Sequence, residues 1–447
     1  MLFSRLRRIT RDGYWIPEID GLRFLSISLV FLFHLFTTLS AVTSVTANHP
    51  ALFLPIRNGA RGVPVFFTIS GLVLALPFAR RYLAAGQPIS LRKYYLRRLT
   101  RLEPPYILCV LGCTLLYIAW HHSAGGTLPH LAASLVYLHN IVYAAPSQVN
   151  GVLWSLEIEV QFYLIAPMLM QVYRLRTTAL RRGLLVGFTL AYLLAQPHLL
   201  TTVRTQFTLL GSLPYFLMGM LAADFLIAAP MRVPQVSLLR PGALDHHDFG
   251  PSHPHDSESS PDPNSGCPIF ATVSSWLRWA FALRANRSRP ILSPEIWLRC
   301  LWDIAGLAAI AAIFLGPYSE MQVNALLPAS TFLLCLAALR GGLLRHILST
   351  QWIAIIGGMC YSIYLWHLIL IRAVLTLARH CIMPSLGFTA NFLIQCILTG
   401  LPVLALCTLF YLTVERPCMN PNWPSKLMVK LGRRRSESTS LDSGGVS

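Results

Sequence analysis

Apolar runs of about 20 residues recur along the chain, each separated from the next by a polar or basic gap, and a run of that length crosses a bilayer as a helix. Ten such runs fall at approximately 22–42, 62–83, 104–121, 152–173, 183–199, 206–229, 297–316, 321–339, 353–377 and 391–414. The pattern predicts an all-α, polytopic transmembrane bundle of ten spans. A basic, hydrophilic stretch, 1–21, precedes it. The run that follows is too long for the core of a signal peptide, so it reads as a retained first span. The membrane domain extends over 22–420. Within it, 230–296 is rich in Pro, Ser, Asp and His and reads as a largely disordered insert, because it offers little apolar surface to bury. The histidines between His246 and His255 belong to that polar stretch and are not read as a metal site. The basic, Ser-rich tail 421–447 is expected to be disordered as well.

Charge orients the bundle. Of the 447 residues 54% are hydrophobic and 12% charged, and 36 Lys and Arg against 18 Asp and Glu leave a net charge of +18. A nucleic-acid binder carries such an imbalance, but here the arginines are confined to the gaps between apolar runs, which fits anchoring at anionic membrane lipids. With the N-terminus placed in the cytoplasm, 29 of the 36 basic residues fall in inside segments and four outside, at Arg57, Arg61, Arg204 and Arg379. The positive-inside rule predicts this split, and with an even helix count both termini are expected to be cytoplasmic. The ten cysteines show neither zinc-site nor disulfide spacing.

Few polar residues interrupt the spans, and each is a candidate. The first span carries Arg23 and His34. They lie about three turns, roughly 16 Å, apart on nearly one helix face. Lipid leaves an ionisable group at mid-span unhydrated, so it is a functional-site candidate by default. The bland alternative is an interfacial arginine and a histidine that glues two helices. Ser70 and Gly71 fall at a similar depth in the second span, as a helix-packing pair or as part of a cavity. Arg92, Lys93, Arg97, Arg98 and Arg101 cluster ahead of the third span. Guanidinium forks on one helix surface suit a phosphate-rich ligand, and the same cluster serves as an inside anchor. Glu157 and Glu159 sit near the start of the fourth span. Two residues apart, they point to different faces. Trp154, and Tyr361, Trp366 and His367 in the ninth span, complete the polar-aromatic set.

These segments stand in a fixed order: Arg-x10-His, GVPVFFTISG, RRLTRLEPPY, WSLEIEVQFYLIAP, YSIYLWH and VERP. Together, over roughly 17–418, they resemble the acyltransferase 3 family of integral membrane O-acyltransferases, in a form without a fused extracytoplasmic hydrolase-like domain. The chain departs from the family pattern at Pro64, at Glu103 and after His367, where Leu368 and Ile369 follow.

The resemblance implies transfer of an acyl group, commonly acetyl, to a hydroxyl of a carbohydrate or of a small lipid-linked or secreted acceptor. The implied donor is acyl-CoA from the cytoplasm, a co-substrate, with no permanently bound cofactor or metal. On this reading His34 is the base, Glu159 orients it or binds the acceptor, and Arg23, Arg97, Arg98 and Arg101 hold the donor. Ser70, Trp154, Tyr361, Trp366 and His367 line the cavity. The expected location is the plasma membrane. A competing reading, from ten helices with polar residues at mid-span, is a transporter or flippase for a sugar or lipid.

Overall fold

A computed structural model of the chain describes residues 6–8, 15–43, 53–121, 124–228, 293–316, 320–383, 385–420 and 423. Most of the expected insert 230–296, its histidines included, and nearly all of the tail 421–447 lie outside the described residues. The chain divides into two compact units, 1–231 with 301–447, and 232–300. Of the second, 293–300 are described, as the start of a helix.

The described residues are helical apart from turns and short connections. The main helices are α1 (Pro17–Thr43), α2 (Gly62–Leu83), α3 (Leu91–His121), α4 (Ala124–Leu135), α5 (His139–Tyr143), α6 (Trp154–Leu169) and α7 (Thr178–Leu199). They continue as α8 (Leu209–Ala228), α9 (Pro294–Leu315), α10 (Glu320–Arg340), α11 (Gln351–Gly358), α12 (Cys360–Leu377), α13 (Phe388–Phe410) and α14 (Arg416–Cys418). Among the described residues nine helical stretches are long and apolar enough to cross a membrane, where the sequence predicts ten. The difference falls on α10, of which Leu326–Arg340 counts as a shorter apolar helix.

Close backbone packing fixes the centre. Gly71 on α2 faces the backbone of Phe216 on α8, and Gly219 on α8 faces Thr68 on α2; a Cβ at either would run into the opposite helix. Without a water-driven force between spans, such contacts supply the packing that holds helices together.

Three local features depart from the run-by-run reading. First, α3 begins at Leu91 rather than at 104 and passes through Pro104 and Pro105, so the arginine cluster lies on a helix. Proline lacks the N–H that would bond the carbonyl four residues back. The Thr100 carbonyl orphaned by Pro104 accepts instead from Trp423 Nε1, at 2.9 Å. In α6, Pro167 orphans the Tyr163 carbonyl in the same way, and the Tyr94 hydroxyl donates to it at 3.2 Å.

Second, the ninth span is two helices, α11 and α12, tightened at Met359, whose N–H reaches Ile356 O at 3.0 Å as well as Ile355 O at 3.3 Å. Third, the gap 122–151 is not a simple surface loop. Tyr106 on α3 donates to Ser134 O at 2.8 Å, and the Asn140 N–H donates to Glu157 Oε2 at 2.9 Å. Asn150 Nδ2 donates to Leu365 O at 2.9 Å. These buried polar contacts fold α4 and α5 into a cap on α3, α6 and α12.

Candidate active site

His34 meets a second histidine. On a helix, a histidine ring nitrogen reaches the carbonyl one turn back. His34 Nδ1 lies 2.9 Å from Val30 O, and His367 Nδ1 lies 2.9 Å from Tyr364 O and 3.1 Å from Ile363 O. A carbonyl only accepts, so each Nδ1 carries the hydrogen. His367 Nε2 is then a lone pair, 3.3 Å from His34 Nδ1, and the two rings sit edge to face at 5.0 Å. The His34 Nδ1–H is thus shared between Val30 O and His367 Nε2. His34 Nε2 is left unprotonated, with no partner among the described residues. That arrangement suits proton abstraction.

Tyr364 holds the second histidine from behind. Its hydroxyl donates to Val152 O at 3.0 Å and accepts from Ser155 Oγ at 2.5 Å, and its ring lies 5.7 Å from that of His367.

Glu159 stands apart from the histidine pair. Its Oε1 accepts from Ser70 Oγ at 2.5 Å and from the Tyr163 hydroxyl. It lines a small cavity with Leu102, Tyr137, Leu156, Val160, Tyr163 and Tyr361. Tyr137 holds a left-handed backbone, φ 57°, and stacks on Tyr106 at 4.4 Å. Bulky residues adopt that conformation only when their surroundings over-determine it. Glu157 takes the other face of α6. It is fully buried, accepts from Asn140, and has Oε1 without a partner among the described residues.

A cluster of basic residues gathers around Asp20 and Arg101. Asp20 accepts from Trp15 Nε1 at 2.8 Å, from Arg23 Nη1 at 2.5 Å and from Arg8 Nη1 at 3.3 Å. Arg23 is therefore ion-paired within its own helix, and Glu159 lies within charge–charge range of it. Burial first, and then the neighbouring Arg101 and Arg23, pull Arg8 down to about 10. It stays charged at neutral pH. Arg98 stacks over the Tyr94 ring at 4.4 Å, while Arg97 and Arg101 each bury an Nε that has no partner among the described residues.

The other candidates are dispersed. Trp154 packs against Phe67 and Phe207. Trp366 faces a separate apolar cleft of about 300 Å³ with Leu370, Leu406, Leu409, Phe410 and Thr413. Of the residues expected around one cavity, the fold brings His367 to His34, and Ser70 and Tyr361 to Glu159.

A family model described as an acyltransferase domain, Acyl_transf_3, matches residues 16–244, just over half of the chain. The chain belongs to that family. It is similar to the peptidoglycan O-acetyltransferase OatA of Listeria monocytogenes, 29% identical over 38% of this chain and 26% of that protein. The O-acetyltransferase OatA of Staphylococcus aureus is 29% identical over 37% of this chain and 26% of its own length. A putative acetyltransferase, ORF330, of Acidianus two-tailed virus is 27% identical over 47% of this chain and 57% of its own. The aligned region thus spans about a quarter of the bacterial relatives' length. No solved structure matches the chain. With its apolar helices, this member of the acyltransferase family is a multi-pass integral membrane protein.

Residue-by-residue reading did not single out Asp20, Arg8 or Ser155. Asp20 had a visible signal, standing three residues before Arg23 on one helix. Arg8 meets Asp20, and Ser155 meets Tyr364, only through contacts between separate segments.

Proposed function

We propose that the protein is a membrane O-acyltransferase that moves an acetyl group from acetyl-CoA to a hydroxyl of a carbohydrate acceptor of peptidoglycan type. The lone pair on His34 Nε2, held outward by Val30 O and His367, is the observation that carries the reading. His34 takes the proton of the acceptor hydroxyl as the oxygen attacks the thioester carbonyl. The tetrahedral intermediate expels the CoA thiolate, and the imidazolium returns the proton to that sulfur. The cation formed on the ring is shared along the His34 Nδ1–H toward Val30 O and His367 Nε2. Glu159, anchored by Ser70 and Tyr163, lines a small cavity in the same bundle and lies within charge–charge range of Arg23. The donor's phosphates rest at Arg97, Arg98 and Arg101, whose guanidinium groups match phosphate geometry. The acceptor's chemistry follows from relatives named for peptidoglycan O-acetylation. The positive-inside split supports a cytoplasmic donor side.

His34→Ala is expected to lower acetyl transfer about 10²–10⁴-fold, the usual worth of a general base. The measurement is labelled acetyl from acetyl-CoA appearing in glycan, using membranes that contain equal amounts of each protein. Near-normal transfer by the variant would remove the assignment.

A further inference from the structure

The arginine cluster holds more positive charge than the carboxylates around it neutralise. Six arginines, Arg8, Arg23, Arg97, Arg98, Arg101 and Arg416, lie within charge–charge range of one another or share Tyr411 as a neighbour. The carboxylates within such range of them are Asp20, Glu159 and Glu415. Among the described residues the ion pairs within this set are those of Arg8 and Arg23 with Asp20. Among the described residues, Arg97, Arg101 and Arg416 each bury an Nε with no partner. Glu415 does not satisfy them: its Oε2 accepts from Ser362 N and Oγ, and its Oε1 has no partner among the described residues either. Buried cationic donors left unmade are costly, so the arrangement is incomplete without an anion.

Two of these arginines come from opposite ends of the chain. Pro417 has no N–H for the Thr413 carbonyl and crowds it. The helix ahead opens into a π-turn, Tyr411–Glu415, in which the Arg416 N–H bonds Tyr411 O. Such turns recur at functional sites. The buried Tyr411 hydroxyl has no partner among the described residues and lies within charge–charge range of Arg8, Arg101 and Arg416. Beyond α14, Trp423 docks on Thr100, next to Arg101.

We infer that Arg8 and Arg416 complete, with Arg101, a site for the phosphate groups of a nucleotide ligand. Donors from three separate segments fit a polyanion with more than one phosphate better than a single phosphate. The inference rests on the CoA-donor reading above and extends it to two residues outside the arginine motif of α3.

The test is equilibrium binding of CoA and of 3′-dephospho-CoA to the full-length protein in nanodiscs, made either of phosphatidylcholine alone or with phosphatidylglycerol. Arg8→Gln and Arg416→Gln are each expected to weaken CoA binding about 10-fold or more, the scale of a charge-assisted hydrogen bond. At least one of them should narrow the preference for CoA over 3′-dephospho-CoA. Arg416→Lys, which keeps the charge, should recover part of the loss and guards against a folding artefact. Wild-type protein that binds CoA while both glutamine variants bind it equally well overturns the inference and leaves the donor reading standing. Wild-type protein that binds no CoA overturns both. In that event, a loss of phosphatidylglycerol binding in the variants would identify the phosphate as a lipid headgroup's.

Discussion

A histidine is a base only if one ring nitrogen is free of hydrogen and of partners, and two helix carbonyls arrange that here. Val30 O and Tyr364 O hold the Nδ1 hydrogens of His34 and His367. This places His367 in a positioning role for His34, separate from any contact with substrate. His367→Ala would remove one of the two acceptors for the His34 Nδ1–H and leave Val30 O in place. The expected result is a fall in kcat of about 10- to 100-fold, smaller than that of His34→Ala, with the KM for the donor nearly unchanged. Steady-state kinetics with labelled acetyl-CoA check it. Equal losses in the two variants would mean that both rings act on the substrate. The same pair shows the limit of reading residues singly. His34 stood out because it interrupts an apolar run. His367 stood out as part of a polar-aromatic knot. That they touch is decided by how α12 packs on α1.

At the scale of elements, proline explains several contacts that composition hides. Pro104, Pro167 and Pro417 each leave a carbonyl without its helical donor. Trp423 and Tyr94 fill the first two, and a π-turn accommodates the third. Hydropathy placed the third span at 104–121 because the arginines ahead of it lower the local average. The helix begins a full thirteen residues earlier, carrying those arginines on its surface. The cap of α4 and α5 leaves no mark in the hydropathy pattern, because it contains no long apolar run.

That cap carries its own pH dependence. His139 is buried, its Nδ1 donates to Ala145 O at 3.1 Å, and its Nε2 faces His130 Nδ1 at 2.9 Å. Tyr143 stacks on both rings, and the Glu157 carboxylate accepts from the adjacent Asn140 N–H. Burial first, with His130 adding to it, lowers the His139 pKa below its ordinary value. The unfolded cap therefore takes up a proton near pH 6.5 that the folded cap refuses, and stability falls as the pH drops through about 6.5. Above that value it is flat. Hydrogen exchange over 124–143, corrected for intrinsic rates, should be faster at pH 5.5 than at 7.5. His139→Gln should flatten the difference.

For the whole molecule, the distribution of basic residues makes a topological prediction. If both ends are cytoplasmic, tags at residues 1 and 447 should resist protease added outside intact cells and be cut once the membrane is opened. Cleavage of one tag alone from outside would break the even helix count on which the donor-side assignment rests. The sequence by itself determined the membrane class, the run of helices and their family, because a 20-residue apolar run and its flanking charges answer to the bilayer, a solvent that every span meets alike. It also singled out His34 and the arginines of α3, since a charge in lipid is conspicuous wherever it stands. Only the tertiary structure decided that His34 pairs with His367 and not with Glu159, and that Arg8, Arg101 and Arg416 come within charge–charge range of the Tyr411 hydroxyl. Those outcomes depend on directional hydrogen bonds and on close approach between segments hundreds of residues apart, which no local pattern along the chain encodes.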